Sequence, residues 1–252
     1  MTRAPIPGLA PGERRLDGAV AHYLARVLRL RAGDVFVGFD PASAREADAV
    51  MVKTDHDRVT VHFGDLREGT ARAHRDLTWI QGLAKGAKCD AVVRDATELG
   101  ATRIIVATTE RSVVRLDAAR ASQRQARWTR IAQEASRQCG RSDVPAVDVP
   151  CPWIDALARV PVDAARFCLW ERATTPVGPV LFEAIARGAP LAFACGPEGG
   201  LETGEVERAA ARGWAIASLG GLALRTETVA AAVLGAVCVM AGALDERGLT
   251  LR

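Results

Sequence analysis

Lysine is almost missing from this chain of 252 residues. Of its 33 Lys+Arg, only Lys53, Lys85 and Lys88 are lysines, so 30 are arginines. A codon bias toward Arg and Ala accounts for such a ratio; so does a need for planar guanidinium forks, which suit phosphate and base recognition better than ammonium groups do. Cysteine pairs are missing too. Cys89, Cys139, Cys151, Cys168, Cys195 and Cys238 lie far apart with no CxxC, which argues against zinc and dithiol redox motifs, and a chain this long needs no disulfide scaffold. No metal site is expected. The N-terminal MTRAPIPGLAPGERR lacks the apolar run of a signal peptide. Val229–Leu244 is uncharged over 16 residues, short for a membrane span and better suited to a buried helix. The expectation is a cytoplasmic protein with no membrane partner.

With 49% hydrophobic and 25% charged residues, the chain has the balance of a folded globular protein, which excludes extensive disorder. Its texture changes near residue 70. Before that point, short β-favouring runs (35–39, 49–52, 59–63) are separated by turn-like segments at Arg31–Asp34, Asp40-Pro41 and Asp55-His56-Asp57, after one helical stretch, Ala19–Leu30. This predicts a small barrel or half-barrel over residues 1–70. A polar, Gly-containing stretch, Asp65–Asp76, reads as a linker. From residue 75 to 252 strands and helices alternate. Strands are predicted at 77–83, 103–108, 146–149, 167–170, 191–195 and 215–219, and helices at 87–99, 117–138, 180–187, 202–211 and 228–244. Such alternation predicts an α/β domain with a mostly parallel sheet, whose ligands bind beyond the carboxyl ends of the strands.

Two loops carry the chemistry. A buried strand runs into Cys195-Gly196-Pro197-Glu198-Gly199-Gly200 and then a helix; three glycines there let backbone amides approach a ligand without Cβ hindrance. No Lys-Ser/Thr follows, so this is not a P-loop, and no GxGxxG is present. One strand later comes Ser218-Leu219-Gly220-Gly221-Leu222-Ala223-Leu224-Arg225-Thr226-Glu227-Thr228. Thr226 is a natural N-cap for the apolar helix that follows, with Glu227 favourable beside the helix dipole. Arg225 is required by nothing in such a turn. Together the loops can enclose a small flat ligand by main-chain contacts.

GPEGG followed by LG-x-x-x-LRTET closely resembles the RsmE family of SPOUT methyltransferases, which methylate uridine N3 in 16S ribosomal RNA. The resemblance extends over nearly the whole chain: His22 through Val27-Leu28-Arg29 to Gly33-Asp34, Lys85-Gly86 with Glu98-Leu99-Gly100, Glu110-Arg111-Ser112, and Glu134-Ala135 through Gln138, Gly140-Arg141 and Val144-Pro145. It implies a PUA-like β-barrel domain that binds RNA, followed by a SPOUT α/β domain with a deep trefoil knot. It also implies S-adenosylmethionine as methyl donor and a homodimer whose active site is completed across the interface. On this resemblance the donor lies against Cys195, Gly196, Pro197, Glu198, Gly199, Gly200, Ser218, Leu219, Gly220, Leu224, Arg225 and Thr226. Two departures stand out: Leu222 occupies the place of a usual arginine, and the aromatic residues that often follow the first Arg are absent after Arg3.

Methylating N3 requires loss of a proton that titrates roughly two to three units above neutrality, so a base or an anion stabiliser is needed. Glu198 is a candidate base and Arg225 the candidate stabiliser; either can also simply hold its loop. For RNA, positive charge is concentrated between Arg103 and Arg141, where nine arginines face three acids. Arg120, Arg124 and Arg127 share a helical face, and Arg111, Arg137 and Arg141 flank it; Arg3, His22, Arg26 and Arg29 offer a second surface. The expected partner is 16S rRNA within an assembled small subunit. A related knotted methyltransferase acting at another RNA position or on ribose, and a non-catalytic ribosome-assembly factor, remain as alternatives.

Overall fold

The computed structural model describes residues 2–55, 58–69 and 75–244. His56-Asp57 of one expected turn and residues 70–74 of the expected linker lie outside them. The chain divides into two compact units, Met1–Arg72 with Gln133–Val144, and Ala73–Ala132 with Pro145–Arg252.

In the first unit β1 (Arg3–Pro5), β2 (Gly12–Asp17), β3 (Val35–Asp40), β4 (Arg45–Asp55), β5 (Arg58–Phe63) and β6 (Arg67–Glu68) form one sheet in the order β1-β3-β4-β5-β2, with β6 beside β4. Only β1 and β3 run parallel. Alternation along β5 buries Val59, Val61 and Phe63 against Phe36, Met51 and Leu24, the two-residue period of a half-buried strand. A helical stretch begins as α1 (Gly18–His22) and widens into a π-helical turn, Tyr23–Val27.

Glu46 sits inside this unit, 1% exposed, and is ionised by its neighbours. Arg3 Nη2 donates to its Oε2 at 2.8 Å, Ser142 Oγ to the same oxygen at 2.9 Å, and Arg67 Nε to Oε1 at 3.1 Å. Burial pushes the Glu46 carboxyl up, but these donors outweigh it and hold the group below its ordinary 4.5. Its contribution to stability is therefore full above the unfolded value and lost as pH falls through the lower folded value. Glu46→Gln is expected to cost about 3 kcal/mol near pH 7, the scale of a broken buried pair, with the gap to wild type closing below pH 4.5. Urea unfolding at pH 7 and at lower pH checks this; a gap that is independent of pH contradicts it.

The second unit is a seven-stranded, all-parallel sheet crossed by helices. Its elements are β7 (Leu77–Gly82), α2 (Lys88–Glu98), β8 (Arg103–Thr108), α3 (Ala118–Cys139, whose last residues from Gln133 group with the first unit), β9 (Ala146–Val147), β10 (Cys151–Pro152), α4 (Trp153–Ala158), β11 (Ala165–Leu169), α5 (Val177–Ala186), β12 (Leu191–Cys195), α6 (Thr203–Ala210), β13 (Ala215–Ala217) and α7 (Thr226–Leu244). The strand order is β10-β8-β7-β12-β11-β13, with β9 beside β8. All five residues of β12 are buried, as expected for a central strand covered on both faces. The chain steps outward from β7 to β8 and β10, then returns on the other side through β11 and β12. The carboxyl ends of β7 and β12 are thus the switch point where open α/β sheets bind ligands.

Most predicted elements have counterparts here. The strands β1, β2, β6 and β10 and the helix α4 are not predicted by the sequence: GERRLD has no apolar alternation, the others are short, and β6 lies within the stretch Asp65–Asp76 that reads as a linker. Thr226 is no N-cap: the N–H groups of Thr228 and Val229 go to the Arg225 carbonyl, and the Thr226 hydroxyl is engaged elsewhere.

Candidate active site

β12 ends at Cys195, and the chain then folds back on itself. A Cβ at Gly196 would stand 2.7 Å from the carbonyl carbon of Gly200, and one at Gly82, the last residue of β7, 2.5 Å from Pro197. Gly196 thus lets the loop fold onto itself, and Gly82 lets β7 touch it. Gly200 has φ +74° and closes the turn by donating its N–H to the Pro197 carbonyl at 2.9 Å.

Beneath the loop sits Gln81, fully buried. Its Nε2 lies 2.8 Å from Thr226 Oγ1 and 3.1 Å from the carbonyls of both Gly82 and Gly196; Thr226 Oγ1 donates in turn to the Gly196 carbonyl at 2.8 Å. Two amide hydrogens serve three acceptors, so the Gly82 and Gly196 carbonyls share one of them. Gln81 Oε1 accepts from Trp79 Nε1 at 3.2 Å and from Cys195 Sγ at 3.3 Å. One side chain therefore ties β7, the glycine loop and the start of α7 together. Sequence reasoning passed it over, although a glutamine inside an apolar strand was the signal. Gln81→Leu strands the Trp79 N–H and is expected to cost about 1–3 kcal/mol, measurable by denaturant titration; wild-type stability would contradict the role.

Glu198 is exposed, but its carboxylate is engaged. Its oxygens accept the Lys85 backbone N–H at 3.2 and 3.3 Å, and Lys88 Nζ lies 3.6 Å from Oε1. Partial burial pushes its carboxyl up, yet its own N–H, the Lys85 N–H and Lys88 together hold it below the ordinary carboxylate value. Such a carboxylate is a weak proton acceptor. Arg111 braces the other end of the loop, donating from Nη1 to the Gly199 carbonyl and from Nε to Glu202 Oε1, each at 2.8 Å. Glu202 caps α6 in a reciprocal box with buried Glu205, which also accepts the Glu110 N–H at 3.0 Å.

The second loop lies over the first. Gly220 donates its N–H to Ser218 Oγ at 3.1 Å, and the Ser218 backbone bonds Thr175 and Val177. Between the loops opens a cavity of about 610 Å³ whose walls include all twelve residues expected to hold a donor, together with Lys88, Trp170, Glu171 and Glu227. Trp170 Nε1 and Glu227 Oε2 are buried there without a hydrogen-bond partner among the described residues. Arg225 is exposed at the wall and pairs with no described carboxylate. Leu222, at the place of a family arginine, is 84% exposed.

The residues expected to touch RNA separate into groups. Arg3 pairs with Glu46, Arg111 bonds Gly199 and Glu202 at the surface, and buried Arg141 pairs with Asp143 at 2.6 Å. In the first unit His22, Arg26 and Arg29 are exposed, and the Arg137 guanidinium lies 4.8 Å from the centroid of the Tyr23 ring. In the second unit Arg120, Arg124 and Arg127 line one further cavity.

The sequence matches the family described as RNA methyltransferase domain over residues 71–238 and, over 16–64, the RNA methyltransferase PUA domain. It is 30% identical over 231 residues to ribosomal RNA small subunit methyltransferase E of Bacillus subtilis, covering 88% of each protein. The chain belongs to this methyltransferase family. The family's Mycobacterium bovis member is 30% identical over 235 residues, covering 91% of this chain and 87% of that one. A solved family member from Neisseria gonorrhoeae, bound to S-adenosyl methionine, superposes with a TM-score of 0.85 at 26% identity, over 95% of this chain and 98% of that one. That member thus shares the fold over nearly the whole of this chain. Among the described residues, no helix is long and apolar enough to cross a membrane.

Proposed function

We propose that this protein transfers a methyl group from S-adenosylmethionine to N3 of a uridine in 16S rRNA of the small ribosomal subunit. It does so as a cytoplasmic homodimer, with a PUA-like domain over residues 1–70 and a SPOUT domain over 75–252 whose chain is knotted at the site. The observation that carries this reading is the cavity between the two glycine loops, with Arg225 exposed at its wall and paired with no described carboxylate, in a chain of this family.

The residues present suit the donor. The cavity's volume class is right for a nucleoside-sized ligand, the glycine walls admit close main-chain contact, and the buried Trp170 donor and Glu227 acceptor lack partners among the described residues, which a ligand would supply. Cys195–Gly200, Ser218–Gly220 and Leu224–Thr226 would hold it. S-Adenosylmethionine supplies an electrophilic methyl group on a sulfonium, and the protein's main tasks are alignment and exclusion of water. Arg225 stabilises the negative charge that spreads onto the uracil oxygens as N3 loses its proton. Glu198 holds the loop through Lys85 and Lys88, and the proton passes to solvent. If the target uridine is stacked, flipping it out costs about a few kcal/mol. RNA affinity comes from basic side chains on both units.

Calorimetric titration with S-adenosylmethionine is expected to give a saturable signal, alone or with small subunits present. Silence under both conditions would move the reading to a non-catalytic RNA-binding factor.

A further inference from the structure

The second unit carries another cavity, of about 670 Å³, walled by α3, the 114–116 segment and the Gly86-Ala87 turn before α2. Four arginines line it, and they differ in what holds them. Arg127 is fixed: its Nη2 donates to Asp90 Oδ2 at 2.6 Å and its Nε reaches both oxygens, while Trp128 Nε1 donates to Oδ1 at 2.9 Å. Arg120 reaches only Asp117, at 3.6 Å, and both groups are exposed. Arg115 and Arg124 pair with no carboxylate among the described residues. A concave surface with two uncompensated guanidiniums and a third loosely held concentrates positive potential.

This groove and the candidate active site share a wall. Gly86 and Ala87 line the groove, the Lys85 N–H holds Glu198, and Lys88 lines the cavity between the glycine loops. Gly86 has φ +70° and no heavy atom within 4 Å of where a Cβ would stand. A strand of RNA lying in the groove therefore passes within one short turn of the methyl-transfer cavity.

We infer that the groove binds backbone phosphates of the nucleotides flanking the target base. Arg115, Arg120 and Arg124 are the phosphate ligands, and Arg127 is a wall residue positioned by Asp90. This rests on the reading of rRNA as substrate. It adds Arg115, which the helical stripe of the sequence does not include, and removes Arg127 from the contacts.

The test is binding of a labelled fragment of small-subunit rRNA, followed by anisotropy across a salt series, with calorimetry of S-adenosylmethionine as the second readout. Arg115→Glu/Arg124→Glu is expected to weaken RNA binding at least about tenfold and to flatten the salt dependence by about two phosphate contacts. Cofactor affinity and the circular dichroism spectrum stay at wild type. Arg94→Glu/Arg208→Glu, an equal charge change on exposed helix surface elsewhere, flattens it by less. Equal losses in the two double variants would show a general charge effect and overturn the groove, as would wild-type binding by the first. Wild-type protein that binds no rRNA overturns the substrate reading and the groove with it.

Discussion

Arg225→Ala is expected to lower the rate of methyl transfer by about 10²–10³, the range for loss of a preorganised group that stabilises developing charge, while the thermal transition stays at wild type. The stability expectation follows from the side chain's situation. It is exposed, no described carboxylate pairs with it, and its structural task, accepting the Thr228 and Val229 N–H groups, belongs to its backbone carbonyl. Alanine keeps that carbonyl. A guanidinium with no structural work at the wall of the cavity is therefore available to the uracil anion. Arg225→Lys tests geometry: a charge without the planar fork should restore only part of the rate. Wild-type turnover in Arg225→Ala removes the residue from the chemistry.

Gly196→Ala has the second large effect, on binding and stability together. The added methyl would meet the carbonyl carbon of Gly200 at 2.7 Å, its oxygen at 2.9 Å and the Leu201 nitrogen at 3.0 Å. All three are backbone atoms, so relief requires the loop to open. Overpacking of this kind costs about 1–3 kcal/mol, and a loop displaced by the same energy weakens S-adenosylmethionine binding by about five- to 150-fold. Gly178→Ala is the control. It lies in α5 with no heavy atom within 4 Å of its Cβ position, and is expected to stabilise by about 0.5–1 kcal/mol. Calorimetry and urea unfolding of both variants decide the matter; equal behaviour would mean that the Gly196 loop is not held closed.

The second unit was legible because its signals are local. Leu191–Cys195 is a short apolar run bounded by Gly-Pro, and Gly196, Gly199 and Gly200 announce a tight backbone. The site's loops were therefore found from their own residues. Gln81 and Arg115 were not, since the importance of each depends on what other segments bring to it: the carbonyls of Gly82 and Gly196 in one case, the turn at Gly86 in the other. The same reason hid the partners of Arg3, Arg111 and Arg141. An arginine in a sequence carries no mark of its partner, and Glu46, Glu202 and Asp143 are visible as partners only in the fold. In the first unit β2 escaped because a strand of alternating charges resembles a loop, and Gln133–Val144 groups with that unit although the chain reaches it by way of α3.

The most direct measurement is nucleoside analysis of small-subunit rRNA after incubation with the protein and methyl-labelled S-adenosylmethionine. The account predicts label in 3-methyluridine at a single position, lost with Arg225→Ala. Label on a ribose or on another base, or no label with assembled subunits and free rRNA alike, would contradict it.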